Sequence, residues 1–353
     1  MKLSRVLNEL VDERGLDRNT LSTIICDGML VAYKKKYPHL ILKAEHNKKT
    51  DDIVIMVQKI VTASPQDAEK EISLRKAKSI QSDIQLGETL WLPFEEAIGR
   101  IEILAAKQYI AQKIRTVEAR AVYDEFKEKE GHIVHGIIHK CERSGMTLKI
   151  GEVLAFLPHS LSVPTDKCIV GYSLRALLKE VLAEPRYDNQ LILDRVSTDF
   201  LLRLLELEIP EIFERLVEVK KIVRIPGYKS KVAVVSHDEN IDPVGTCVGA
   251  GGLRIKPVLK ELGNEKIDVI EWTDSKEKLV ADALKPAVVD RVGVIDDEVA
   301  HVWIDEDQRS FALGKSGQNI ALASRLVGIK IQLMQSETTK SQEESISDSF
   351  RDE

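Results

Sequence analysis

Aromatic residues make up only 5% of the 353 residues. That scarcity argues against an aromatic-lined pocket or a broad stacking surface as the main feature. There is no C-x-x-C pair: Cys26, Cys141, Cys168 and Cys247 lie far apart in the chain, so neither a zinc ribbon nor a disulfide framework is expected. No apolar run approaches the ~20 residues that span a bilayer. The first residues, Met1-Lys2-Leu3-Ser4-Arg5, lack the apolar core of a signal peptide. A cytoplasmic protein without a membrane partner is therefore expected. Positive charge is not in excess either. The net charge is −6, so any basic surface must be local.

What is present is a long chain with ordinary apolar content. At this length two to four domains are expected, because one core seldom grows past ~250 residues. Leu3, Val6, Leu7, Leu10 and Val11 recur at helical spacing. A second helix is predicted from about Leu21 to Tyr37, capped by Asp17 or Asn19 and ended by Pro38. Residues 40–62 alternate as a hairpin that turns between Asn47 and Asp52. A long helix is predicted over residues 95–129. After Gly131 the segments 132–139, 145–150, 153–157 and 189–195 are short and β-branched, as in a small antiparallel barrel. Residues 174–182 read as helix on propensity. Helices over 198–208 and 210–217 precede a strand pair, 219–225 and 230–236, that turns at Pro226-Gly227. That pair carries Lys220, Lys221, Arg224, Lys229 and Lys231 against Glu218 alone. It is either a basic surface or a solvated edge blunted by lysines. Residues 336–353 hold six acids and two bases, with almost no apolar content, and are expected to be disordered.

An internal repeat carries the functional reading. Val248-Gly249-Ala250-Gly251-Gly252 recurs 65 residues later as Leu313-Gly314-Lys315-Ser316-Gly317. Ile255 then aligns with Ile320, and Gly263 with Gly328. Both copies continue with helical apolar spacing (Ile255, Val258, Leu259, Leu262; Ile320, Ala323, Val327). Both end in a strand, 267–270 and 329–334. Each copy reads helix, Gly-x-x-Gly, helix, strand. Two glycines permit a turn that a Cβ would block. They also admit a sugar-phosphate backbone close to the main chain, and the next helix offers free N–H groups to a phosphate. A KH domain clamps about four nucleotides in this way. The candidate RNA-binding residues are Gly249, Ala250, Gly251, Gly252 and Arg254 in the first copy. In the second they are Gly314, Lys315, Ser316, Gly317, Gln318 and Asn319, with Arg325 more distant. Ile255 and Ile320 are assigned to the core.

Other constellations fall away. Gly314-Lys315-Ser316 resembles the end of a P-loop, but Arg309 stands where the first glycine belongs, and 308–313 reads as helix where a strand is needed. On a strand, His135 and His139 lie ~13 Å apart and His132 faces away, so no metal site forms. Asp305-Glu306-Asp307 before a helix reads as a cap and dipole partner. No catalytic residue, metal or cofactor is expected.

The chain resembles the NusA family of bacterial transcription elongation and termination factors over nearly its whole length. The first KH domain is carried by DPVGTCVGAGGLRIKPVLKELGNEKIDVIEW (242–272) and the second by FALGKSGQNIALASRLVGIKIQL (311–333). LLELEIPEI (204–212), AAKQYIAQKIRTVEARAVYDEFKEKEGHIVHG (105–136) and AYKKKYP (32–38) match as well. The resemblance implies a multi-domain α+β fold: an N-terminal α+β domain with its connecting helix (1–130), an S1 (OB-type) β-barrel (131–197), two tandem prokaryotic-type KH domains (198–275 and 276–335) and an acidic tail (336–353). It turns 174–182 into a barrel strand. It implies docking of the N-terminal domain on core RNA polymerase and retention of nascent single-stranded RNA. Contact with other elongation and antitermination factors, effects on pausing, termination and antitermination, and a monomeric state without catalysis are further implied. A binder of ribosomal or maturing RNA that uses the same modules without polymerase is the alternative. The first loop departs from the family in having Gly251 where a basic residue is usual, with Arg254 as a compensating charge. Ser316 replaces a common glycine. The segment 157–164 is less polar than its counterparts, which weakens the barrel's expected RNA contacts. Functions tied to C-terminal acidic repeats are expected to be absent.

Overall fold

A computed structural model of the chain describes residues 17–47, 52–186, 189–263, 265–295 and 298–335. The helix expected around Leu3 to Val11 and the acidic tail lie outside the described residues. The chain divides into two compact units, Met1–Asp124 and Glu125–Glu353. Among the described residues no helix is long and apolar enough to cross a membrane.

In the first unit, α1 (Arg18–Lys36) starts at Asp17, whose carboxylate accepts from the amides of Asn19 and Thr20. The cap is therefore Asp17 rather than Asn19. Strands β1 (Leu42–Asn47) and β2 (Asp52–Thr62) pair antiparallel, as their alternation predicts. Strand β3 (Glu71–Ser73), helix α2 (Leu74–Ile80) and strand β4 (Thr89–Pro93) complete a four-stranded sheet in which β3 and β4 both pair with β2. Tyr33 of α1 and Tyr37 just after it pack with Phe94 over Leu42, Ile55 and Val57. Helix α3 (Arg100–Phe126) sets Ile110, Ile114 and Val117 against Leu21, Ile24 and Ile25 of α1.

The second unit begins with a closed barrel. Its strands are β5 (Ile133–Glu142), β6 (Gly145–Ile150), β7 (Val153–Pro158), β8 (Ser173–Arg186) and β9 (Asn189–Asp194), in the order β5-β6-β7-β9-β8. Residues 174–182, helical on propensity, lie within β8. They pair with β5 on one side and β9 on the other, because closure leaves no edge only if that segment is extended. The sequence also gave no sign that Cys141, at the end of β5, and Cys168 would meet. Their Cα atoms are 6.0 Å apart and a disulfide joins them. The folding of the chain places them together, not their separation in sequence.

Two units of one topology follow. The first contains α4 (Thr198–Glu208), the short α5 (Pro210–Phe213), β10 (Val217–Ile225), β11 (Lys229–Ser236), α6 (Pro243–Val248), α7 (Lys256–Glu261) and β12 (Lys266–Glu271). The second contains α8 (Lys276–Ala283), β13 (Arg291–Ile295), β14 (Val299–Ile304), α9 (Glu306–Leu313), α10 (Gln318–Val327) and β15 (Lys330–Gln335). In both, the middle strand pairs antiparallel with the first and parallel with the last. Strand β11 is covered on both faces. Val232 and Val234 join the core of α4 and α7, while Ala233 joins the core of α8 and α10. One face of α10, Asn319, Leu322, Ala323 and Leu326, is buried at helical spacing against that sheet. The two repeats thus share one apolar core.

Barrel and first repeat are joined by buried charge. Arg195 is 1% exposed. Its Nε and Nη2 donate to Asp166 at 2.9 and 3.0 Å, and Nη1 donates to Glu261 at 2.7 Å. Arg224 donates twice to Glu265 at 2.8 Å and also to the carbonyls of Arg195 and Ser197. Glu265 in turn accepts from Ser230 and from the amide of Gly227. Both guanidinium groups lie over the ring of Phe200. Val163 is buried next to the Gly227 turn. That gives the apolar 157–164 segment a packing role at this junction. Removing one partner of a buried pair leaves a desolvated charge, so Glu265→Ala is expected to destabilise the second unit by about 3–5 kcal/mol. Urea unfolding followed for that unit checks this, and a loss below about 1 kcal/mol contradicts it.

Candidate nucleic-acid interface

Both repeats build the same loop. Helix α6 starts at Asp242, which accepts from the Val244 amide, with Pro243 in the first turn. It ends at Gly249 (φ 74°, ψ 167°); α9 ends at Gly314 (φ 67°, ψ −176°). That region of backbone space is essentially restricted to glycine. Space excludes a side chain too. A Cβ on Gly249 would sit 2.8 Å from Arg254 Cγ, and one on Gly314 would sit 2.7 Å from Asn319 Cβ. A 3-10 turn follows each glycine, over 250–252 and 315–317, before the next helix. Its middle residue is left-handed in both copies, Gly251 at φ 60° and Ser316 at φ 52°. The serine accepts a strain of about 1 kcal/mol there.

The structure sorts the candidate residues into two groups. Ala250, Gly251, Lys315 and Ser316 are exposed at the loop tips. Lys315 makes no ion pair among the described residues. Nothing lies within 4 Å of a Cβ built on Gly251. No side chain caps α10, so its first-turn amides and positive dipole end remain available to an anion. Gln318 is half-buried, and its Oε1 has no hydrogen-bond partner among the described residues. Asn319 turns inward, whereas Arg254 stays exposed but is bonded within the protein. Arg254 donates to the Thr246 carbonyl at 3.0 Å and pairs with Glu211 at 2.7 Å. Asn319 is 3% exposed and donates to the carbonyls of Leu284, Phe311 and Ala312. Its Oδ1 accepts from Lys229 at 3.2 Å. Arg325 is exposed on α10; Ile255 is buried and Ile320 packs against the shared core.

Three of the five basic residues on the strand pair are tied up internally, while Lys220 and Lys221 stand on the edge strand β10. Arg224 is locked to Glu265. Lys229 and Lys231 both reach Asp268, at 2.6 and 2.7 Å. Lys231 is 0% exposed. Burial pushes its ammonium down from the usual lysine range, with Asp268 opposing that shift. Lys220 pairs with Glu218. The partners of Arg224, Lys229 and Lys231 lie on β12 and just before it, so a count along β10 and β11 finds only Glu218. A charge the sequence reading passed over is Lys256, exposed at the start of α7 directly after the first loop. His132, His135 and His139 are all exposed, and no metal-holding cluster exists among the described residues. Asp305 stands at the cap position of α9, but its side chain makes no capping bond. Glu306 and Asp307 supply the first-turn charge.

The loops generate a contrast between two glycines of one copy. Gly314→Ala meets both backbone strain and Asn319, at a cost of about 2–4 kcal/mol. Gly317→Ala has open space and only a left-handed φ of 72° to satisfy, at about 1 kcal/mol. Denaturant unfolding of the second unit checks the order; equal losses contradict it.

Three family models match the chain. The NusA N-terminal domain matches residues 2–120, the NusA-like first KH domain residues 195–272 and the NusA-like second KH domain residues 276–341. The chain is 36% identical to the transcription termination/antitermination protein NusA of Thermus thermophilus, over 78% of this chain and 72% of that protein. With the protein of that name from Bacillus subtilis it shares 32% identity, over 94% of this chain and 90% of the other. With that from Halalkalibacterium halodurans it shares 31%, over 93% and 86%. With its N-terminal α+β unit, five-stranded barrel and two KH repeats, the chain belongs to the NusA family.

Proposed function

We propose that this chain is an RNA-binding transcription elongation factor that modulates pausing, termination and antitermination without catalysing a reaction. The N-terminal unit docks on core RNA polymerase, and the second unit holds nascent single-stranded RNA. The RNA backbone approaches the main chain at Gly249, Ala250, Gly251 and Gly252 and at Gly314, Lys315, Ser316 and Gly317. Lys315 supplies phosphate charge, and Gln318 opens the helix that receives the phosphate. Other elongation and antitermination factors are further partners, and the chain acts as a monomer. The working division is 1–130, 131–197, 198–275 and 276–335.

The observation that carries this reading is the recurrence of one loop in one topology. Two glycine-restricted turns, each followed by a helix, stand in repeats that share a core. A single Gly-x-x-Gly usually marks a turn only; two in the same context fit the clamp of a KH domain. Relatives that share most of the chain are named for termination and antitermination.

Two binding measurements test it. Core polymerase is expected to bind the full chain and not a chain that begins at Gly131. Single-stranded RNA is expected to bind less tightly to Lys315→Met, with the slope of log K against log salt falling by ~0.7, the value for one phosphate contact. Gly251→Lys is expected to steepen that slope by a similar amount. Failure of the full chain to bind its cognate polymerase overturns the docking role. Unchanged slopes in both variants overturn the assignment of the loops.

A further inference from the structure

The two loops share a support that their sequences conceal. Arg254 stands five residues after Gly249, and Asn319 stands five residues after Gly314. The residues differ in size and charge, yet they occupy one place. Each packs against the glycine that opens its loop. Each donates to carbonyls at the end of the preceding helix, Arg254 to Thr246 and Asn319 to Phe311 and Ala312. Those carbonyls lack helical partners and need donors. Each is then tied to an element outside its own loop. Arg254 pairs with Glu211 on α5. Asn319 bonds the Leu284 carbonyl and accepts from Lys229, which stands on β11 of the other repeat and is itself paired with Asp268.

We propose that Arg254 and Asn319 are positioning residues, struts that hold the two glycine loops in their binding shape, and that Lys229 ties the second loop to the first repeat through Asn319. The proposal rests on the reading of these loops as the RNA-binding sites. Neither strut touches phosphate. Arg254, although 42% exposed, is held by the Thr246 carbonyl and Glu211, and Asn319 is closed off from solvent. A strand on the second loop therefore meets a surface whose shape is set partly by the first repeat.

The test is amide hydrogen exchange in the full chain, read at two internally bonded amides in each loop. Gly249 donates to Gly245 and Gly252 to Gly249; Gly314 donates to Ser310 and Gly317 to Gly314. Lys229→Met leaves Lys231 to pair with Asp268. It is expected to speed exchange at Gly314 and Gly317 by roughly tenfold, the fold-change of about one hydrogen bond, and to leave Gly249 and Gly252 unchanged. Glu211→Gln is expected to do the reverse. Single-stranded RNA affinity is expected to fall several-fold in both variants, with the salt slope preserved, because no phosphate contact is lost. Asn319→Asp keeps the acceptor for Lys229 and removes the donors. It reads the same second-loop amides should Lys229→Met not fold. Unchanged loop exchange in both variants overturns the proposal, as does equal loosening of both loops or a slope reduced by one phosphate in Arg254→Gln. If the wild-type chain binds no RNA while the crossed exchange pattern holds, the struts are supported and the RNA reading is overturned.

Discussion

The arrangement of the second unit depends on two arginines that have been removed from water. Arg195 closes the barrel's last strand onto Asp166 and Glu261, and Arg224 closes the first KH sheet onto Glu265. A buried guanidinium is tolerable only when its donors are matched and its charge is paired. Here the matching groups come from both sides of the junction. Asp166 lies in the barrel, Glu261 and Glu265 lie in the KH repeat, and the carbonyl of Arg195 itself accepts from Arg224. The two groups share the face of Phe200. The interaction is geometrically demanding, so it fixes how the barrel meets the first loop-bearing repeat. Strand β11, buried on both faces, passes that constraint to the second repeat through the common core.

Within this frame the loops are similar in backbone and different in chemistry. Both open at a glycine-only conformation and both carry a left-handed middle residue. The first presents bare backbone at Ala250 and Gly251, with Lys256 just beyond. The second presents Lys315 and leads into the longer, uncapped helix α10. A chain with a net charge of −6 therefore offers positive potential only locally. On β10 and β11, Arg224, Lys229 and Lys231 are neutralised internally by Glu265 and Asp268.

What could be read in the sequence was local. Torsions at Gly249 and Gly314 follow from residue type, so the repeat, the helices around it and the strands after it stand where spacing places them. The cap at Asp242 and the hairpin of β1 and β2 are legible for the same reason. What could not be read depends on partners distant along the chain. Strand β8 has the composition of a helix, and closure between β5 and β9 overrides it. Lys229 and Lys231 on β11 look free until β12 brings Asp268 alongside. That Arg254 and Asn319 bond to backbone carbonyls could not be read from the sequence either. Strands β3 and β4 and helix α2 carry too little pattern to be placed from sequence at all.

The two loops stand in repeats that share a core, and we infer that one RNA strand engages both. The direct measurement is the affinity of single-stranded RNA as a function of its length, taken at fixed salt. A KH loop clamps about four nucleotides. A step in affinity is therefore predicted once the strand is long enough to occupy both, and Gly314→Asp is predicted to abolish that step while leaving the binding of short strands. A smooth rise with length, with no step in the wild-type chain, would contradict the account.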